Sequence, residues 1–185
     1  MLTEARRRAG ATTLPVEFRP GDITNLELND ATCDGALRER VFQYLACPHK
    51  AMAELVRITR PGGRIVVIHT DWGLHAIHGA DPTLTAAIVN CWARNAANGL
   101  AGRPLPALFA DAGLRDPLVI ADTMTSTDPQ QPSAPPFTTM AAVAGRAGAI
   151  SAPTPTPGSP SSPTPAATAV FFWAVTMFAV ASHRP

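Results

Sequence analysis

The sequence predicts an α/β protein built on a mainly parallel sheet, and three observations carry that expectation. Pro61-Gly62-Gly63 cannot continue a helix, and it is followed at 65–68 by Ile-Val-Val-Ile, a β-branched run suited to a buried strand. Strand-like and helix-like segments alternate through most of the first 121 residues, as crossover connections require. Hydrophobic residues make up 46% of the 185-residue chain and charged residues 16%, enough apolar material for one sizeable core.

Taken in order, residues 2–9 read as a helix stopped by Gly10, with Arg6, Arg7 and Arg8 on its solvated face. Residues 14–19 are expected to form a short strand, turned by Pro20-Gly21-Asp22. Residues 29–32 form a loop, 33–37 a second strand and 40–45 a short helix. Pro48 stands at a favourable first helical position. Met52, Leu55, Val56 and Thr59 follow at helical spacing up to the Pro-Gly-Gly stop. The strand at 64–69 is expected to end at the polar tip Thr70-Asp71-Trp72.

Asp81-Pro82 then supplies an N-cap and a first-turn proline. The helix it opens is expected to bury Leu84, Ile88, Cys91 and Trp92 and to close near Gly99. A shorter helix over 106–112 stops at Gly113, and 116–121 reads as a strand. Residues 125–150 connect onward through a short helix. Residues 151–169 are rich in Pro, Ser and Thr and are expected to be extended and solvated.

Residues 170–181 want burial again. The uncharged run 166–181 is shorter than the ~20 apolar residues of a membrane span and contains Thr168 and Thr176, so a buried strand is favoured over an anchor. The polar stretch before it has its own explanation. Read one base out of step from GC-rich codons, Pro153 to Ser162 becomes an amphipathic helix, which points to a local double frameshift. Resequencing the coding DNA tests that.

The balance of charge excludes some classes of function. A net charge of +1 with no basic block implies no nucleic-acid partner. Three cysteines, Cys33, Cys47 and Cys91, show no metal-binding spacing and suit a reducing cytoplasm, where each serves as a small packing residue. The first residues run directly into charge, so no signal peptide is expected. His69, His75 and His78 lie near Asp71, and imidazole and carboxylate are common zinc ligands. Gly73 argues against the helical loop that would bring them together, and no metal site is assigned.

The helix–Pro-Gly-Gly–strand unit, with Asn29-Asp30-Ala31-Thr32-Cys33-Asp34-Gly35-Ala36 upstream, resembles the second half of a class I S-adenosylmethionine-dependent methyltransferase. The likeness is to the small-molecule, ubiquinone/menaquinone-methyltransferase-like type. It begins at residues 1–8, similar to the helix after the family's second strand, runs to about Asp122 and resumes at the C-terminal strand. It implies a Rossmann-like sheet that is incomplete, because the first two strands and the glycine-rich loop have no counterpart. The layout is then residues 1–124 as the later two-thirds of a methyltransferase domain, 125–150 and 151–169 as connections, and 170–181 as its last strand. An N-terminal truncation or a start codon placed too late would explain the missing part.

The resemblance also implies roles. Gly21-Asp22-Ile23 is similar to the family's Gly-Asp-Ala, where the carboxylate and the next backbone amide meet the adenine of S-adenosyl-L-methionine. Arg38, or Arg40 beside it, would meet the donor's carboxylate; a surface ion-pair cluster is the other reading. Asp71 lies on the acceptor side, as a base or an orienter of a small-molecule acceptor. Relatives often carry His where this chain has Tyr44. Oxygen, nitrogen and carbon acceptors stay equally open. With its donor site lacking a floor, the chain alone is expected to bind S-adenosylmethionine weakly or not at all. A degenerate, non-catalytic paralogue acting as an interaction module is the alternative, and a protein tethered by its C-terminal apolar segment a third. Membrane association is not favoured.

Overall fold

The computed structural model describes residues 2–10, 15–78, 81–95, 97–128, 137–150 and 171–185. Four strands form one sheet in the order β1-β2-β4-β3. β1 (Cys33–Glu39) runs parallel to β2 (Thr59–His78), and the helix α2 (Pro48–Ile58) makes the crossover between them. β4 (Phe172–His183) lies between β2 and β3 (Leu118–Ser126), antiparallel to both. The Pro/Ser/Thr-rich segment assigned to 151–169 lies outside the described residues.

The helices follow from local chemistry. In α1 (Leu2–Ala9) Glu4 binds Arg7 and Arg8 one turn on, and no residue of the helix is buried. Pro48 begins α2, which buries Ala51, Met52, Leu55 and Ile58 at helical spacing. Asp81 caps α3 (Pro82–Asn95), its carboxylate accepting from the Leu84 amide at 2.8 Å. α4 (Leu105–Asp111) ends at Gly113, which takes φ +77°. α5 (Phe137–Arg146) packs along α3.

One face of the sheet meets α2 and α4. Ile65, Val67 and Val180 project there and are completely buried with Phe42, Met52, Leu55 and Phe109. Each such side chain contributes roughly 1.5–3 kcal/mol when buried. A second cluster joins α3 and α5 through Ile88, Val89, Cys91, Met140 and Ala144.

Several expectations are corrected. Residues 15–19 form no strand, and Val16 is 50% exposed. An extended segment needs a neighbour to satisfy its backbone, and among the described residues none pairs with it. The expected helix at 40–45 is a single 3₁₀ turn, Phe42–Tyr44. Leu84 is 42% exposed, so α3 buries a narrower face than expected. Cys47 is exposed rather than packed.

β2 is longer than expected at both ends. Pro-Gly-Gly lies inside it as an irregularity, where Gly62 takes φ +76° and the pairing with β1 shifts between Cys33 and Gly35. At the other end the strand does not stop at Thr70-Asp71-Trp72. Pairing with β4 breaks after Thr70↔Met177 and resumes at His75↔Val175.

Candidate functional site

That break makes the site. Residues 71–74 of β2 oppose the single residue Thr176 of β4, so Asp71, Trp72, Gly73 and Leu74 bulge out of the ladder. The bulge begins at Asp71, the last buried residue of β2, at the carboxyl end of the parallel pair, where α/β sheets bind ligands.

A loop after α3 clamps this bulge to the segment that follows β1. The Asn98 amide donates to the Gln43 carbonyl at 3.0 Å, and its side chain donates to the carbonyls of Phe42 and Leu45. The Trp72 amide donates to the Gly99 carbonyl at 3.0 Å. Arg103 donates from Nε to Asp71 Oδ2 at 2.6 Å and from a terminal nitrogen to Oδ1 at 3.1 Å. Gly102 lets the loop come this close, since a Cβ there would stand 2.7 Å from Phe178 and 3.3 Å from Asp71.

Asp71 is therefore fully buried and held on both oxygens, Oδ1 also accepting from the Gly73 amide at 3.0 Å. In return its hydrogen bonds, and then its charge, raise the pKa of Arg103. The structure thus brings Asp71 together with an arginine 32 residues away, a pairing that no local motif signals.

The histidines near it behave separately. His69 donates from Nδ1 to the Thr70 carbonyl at 2.6 Å, and His75 from Nδ1 to the Trp72 carbonyl at 2.8 Å. Their Nε2 atoms are buried without partners, and burial lowers both pKa values. His75 also stacks on Trp72 at 5.6 Å. Among the described residues, no three potential ligands converge on a metal position.

Two recesses flank the segment after β1. One, of about 510 Å³, is lined by Gln43, Tyr44, Trp72, Trp92, Val143 and Arg146, among others. Gln43 is buried, and its Oε1 accepts from Trp72 Nε1 at 2.6 Å. Trp72 and Trp92 meet edge to face, with centroids 6.2 Å apart. The other, an open groove of about 880 Å³, is lined by Phe18, Gly21, Ile23, Leu26, Arg38 and Val41 with neighbouring residues. The structure thus brings Ile23 and Arg38 to one groove. Asp22 lies between two lining residues, but its Oδ1 accepts from the Thr24 amide and hydroxyl, both at 2.8 Å. Those bonds lower its pKa. Arg38 is turned back onto the Leu37 carbonyl at 2.9 Å.

The groove's far wall is tied to α2 by Glu54 and Arg57. Glu54 accepts from the Leu26 amide at 2.7 Å and from Arg57 at 2.7 and 2.8 Å. Arg57 also donates to Asp30 and to the carbonyls of Leu26 and Leu28. Bonds from Arg57 and the Leu26 amide hold the Glu54 pKa down at about 2.

A β1-β2-β4-β3 sheet, with its last strand inserted antiparallel and ligand-sized recesses at the carboxyl ends of the parallel pair, is the Rossmann-like α/β arrangement of class I methyltransferases. Residues 1–67 match the family model described as a methyltransferase domain. Among curated relatives, an uncharacterized 37.1 kDa protein in transposon TN4556 of Streptomyces fradiae is 39% identical over 132 residues, covering 70% of this chain and 38% of its own length. Demethylmenaquinone methyltransferase of Deinococcus radiodurans is 37% identical over 68 residues, covering 37% of this chain and 28% of its own length. The chain thus spans less than two-fifths of either relative. Among solved structures, geranyl diphosphate C-methyltransferase from Streptomyces coelicolor, in complex with Mg2+, geranyl diphosphate and S-adenosyl-L-homocysteine, superposes with a TM-score of 0.52 at 13% identity. All of this chain and 59% of that one are covered. The first third of the chain is thus similar to methyltransferase domains, and the fold as a whole is that of class I S-adenosylmethionine-dependent methyltransferases.

Gln43, Trp92 and Arg146, which line the recess at Trp72, and Arg103, which holds Asp71, carry no local sequence signal of those roles. The only local signal was the Asn98-Gly99…Gly102-Arg103-Pro104 spacing, which marks a tight loop.

Proposed function

We propose that the chain is the acceptor-side portion of an S-adenosylmethionine-dependent methyltransferase acting on a small molecule. The observation that carries this reading is the pair of recesses on either side of residues 41–44, one suited to the donor and one to the acceptor.

The groove fits the donor in part. Ile23, Leu26 and Val41 offer an apolar wall for a flat base, Asp22 borders it, and Arg38 supplies a cation for a carboxylate. Among the described residues no glycine-rich turn follows a strand, so nothing cradles the ribose and the methionine chain together. When bound, S-adenosylmethionine supplies a methyl group already activated on a sulfonium. The work left to protein residues is positioning and exclusion of water.

In that scheme the 41–44 segment sets the distance between the two sites, and the loop 98–103 fixes that segment to the bulge. Asp71 acts as an orienter through Arg103 and Gly73, which hold Trp72 in the acceptor pocket's wall. Residues 1–124 and 170–181 form one domain in this reading, and the working compartment is the cytoplasm. No helix among the described residues is long and apolar enough to cross a membrane.

The test supplies the missing part. The purified chain is mixed with the segment that precedes the matched region in the Deinococcus radiodurans relative, and radiolabelled methyl transfer to a panel of small phenols and amines is measured. Labelled product above that of either part alone is expected. Its absence, with both parts folded, would favour a second reading, an interaction module that uses the open edge of β1, where Leu37 is 57% exposed.

A further inference from the structure

We propose that the recess between the bulge, α3 and α5 binds a flat aromatic carboxylate. The proposal deepens the reading of this recess as the acceptor site and rests on it.

Three features specify the ligand. The volume, about 510 Å³, is that of a small-molecule pocket. Trp72 and Trp92 line it at an interplanar angle of 86°, and although His75 takes one face of Trp72, the two indoles give a flat ring aromatic walls in two planes. Saturated ligands gain less from such walls.

The polar groups then select the charge. Arg146 closes the last turn of α5, and among the described residues it has no ion pair or hydrogen bond. No Asp or Glu lines the recess, so the cation is not neutralised within it. Gln43 accepts from Trp72 at its Oε1, which fixes the amide so that its side-chain nitrogen is a donor for a ligand. Donors on Gln43, Tyr44 and Arg146, one of them charged, therefore line the recess, and a planar carboxylate suits such a set. Asn95 turns Nδ2 onto Cys91 at 2.9 Å, which leaves Oδ1 to accept from a ring substituent.

Equilibrium dialysis of the full chain at pH 7.5 tests this with 2-naphthoate and its neutral isostere 2-naphthamide. The acid is expected to bind about tenfold tighter than the amide, the scale of one charge-assisted contact. Arg146→Gln should erase that preference while amide binding persists, and Trp92→Ala should weaken both. Arg146 is exposed, so its variant is expected to fold, and circular dichroism checks it. Equal affinities, failure of both probes to bind, or a preference that survives Arg146→Gln would each overturn the proposal. No methyl donor is present in the assay, so its outcome is separate from that of the transfer experiment.

Discussion

On the face of the sheet that meets α2 and α4, Ile65, Val67 and Val180 are wholly buried. On the opposite face their neighbours Leu37, Leu118 and Ile120 are 57%, 61% and 52% exposed, and Val66 and Ile68 are only half-buried. Both faces carry apolar side chains because the strands are written for cover on both sides. Among the described residues no layer covers Leu37, Leu118 and Ile120, whereas Trp173 and Val175, farther along the same face, are buried. The open part of that face adjoins β1, whose outer edge has no partner strand among the described residues, so there the flank lacks both a layer and a neighbour. Exposed apolar patches of this kind mark contact surfaces or aggregation sites. The recess at Trp72 is built from clamped elements, and the groove lined by Ile23 and Arg38 borders the unfinished flank.

Substitutions on the two faces should separate them sharply. Ile65→Ala leaves a cavity in the covered core and should cost about 3–4 kcal/mol in urea unfolding. A loss below about 1 kcal/mol would mean that this face is no better packed than the other. Asp71→Ala removes a buried carboxylate that orders both the bulge and the clamp loop. The Arg103 side chain is 51% exposed and can turn to water, so the expected cost is lower, about 2 kcal/mol. Trp72 emission should shift red in the same variant as the bulge loosens.

The pH response tests how the covering layer is tied down. The Glu54 pKa lies at about 2 in the folded chain against an ordinary 4.5. A depressed carboxyl stabilises the fold above the unfolded value, and that contribution is lost as pH falls from about 4.5 toward 2. Glu54→Gln should therefore flatten the acid limb of the thermal midpoint between those limits. An unchanged slope would show that the Glu54–Arg57 network does not hold residues 26–30 onto α2. The smallest effect is expected at Ile120→Ala on the open face, within about 0.5 kcal/mol. A larger loss would show that this face is covered in solution.

Much of the covered side was legible in the sequence. The proline at the start of α2, the Asp81 cap, Gly113 and the uncharged run that becomes β4 are local signals that the structure obeys. Residues 14–19 carried strand propensity, but propensity forms no strand without a partner, and 15–19 stay irregular. The length of β2 was hidden because Asp71-Trp72-Gly73 looks like a strand end and is a bulge. Ile23 and Arg38 could be placed by resemblance, and they share a groove. The Asp71–Arg103 pair and the two-tryptophan wall join residues far apart in the chain, and only tertiary packing reveals such partners.

The proposed function has the recess at Trp72 take the acceptor and the groove at Ile23 and Arg38 hold the donor only in part. Calorimetric titration of S-adenosylmethionine into the purified full chain tests it most directly. The account predicts no measurable heat of binding, or a Kd weaker than about 1 mM, equivalent to less than about 4 kcal/mol. Saturable binding with a micromolar Kd would contradict it, because the groove lined by Ile23, Arg38 and Val41 would then hold the donor unaided.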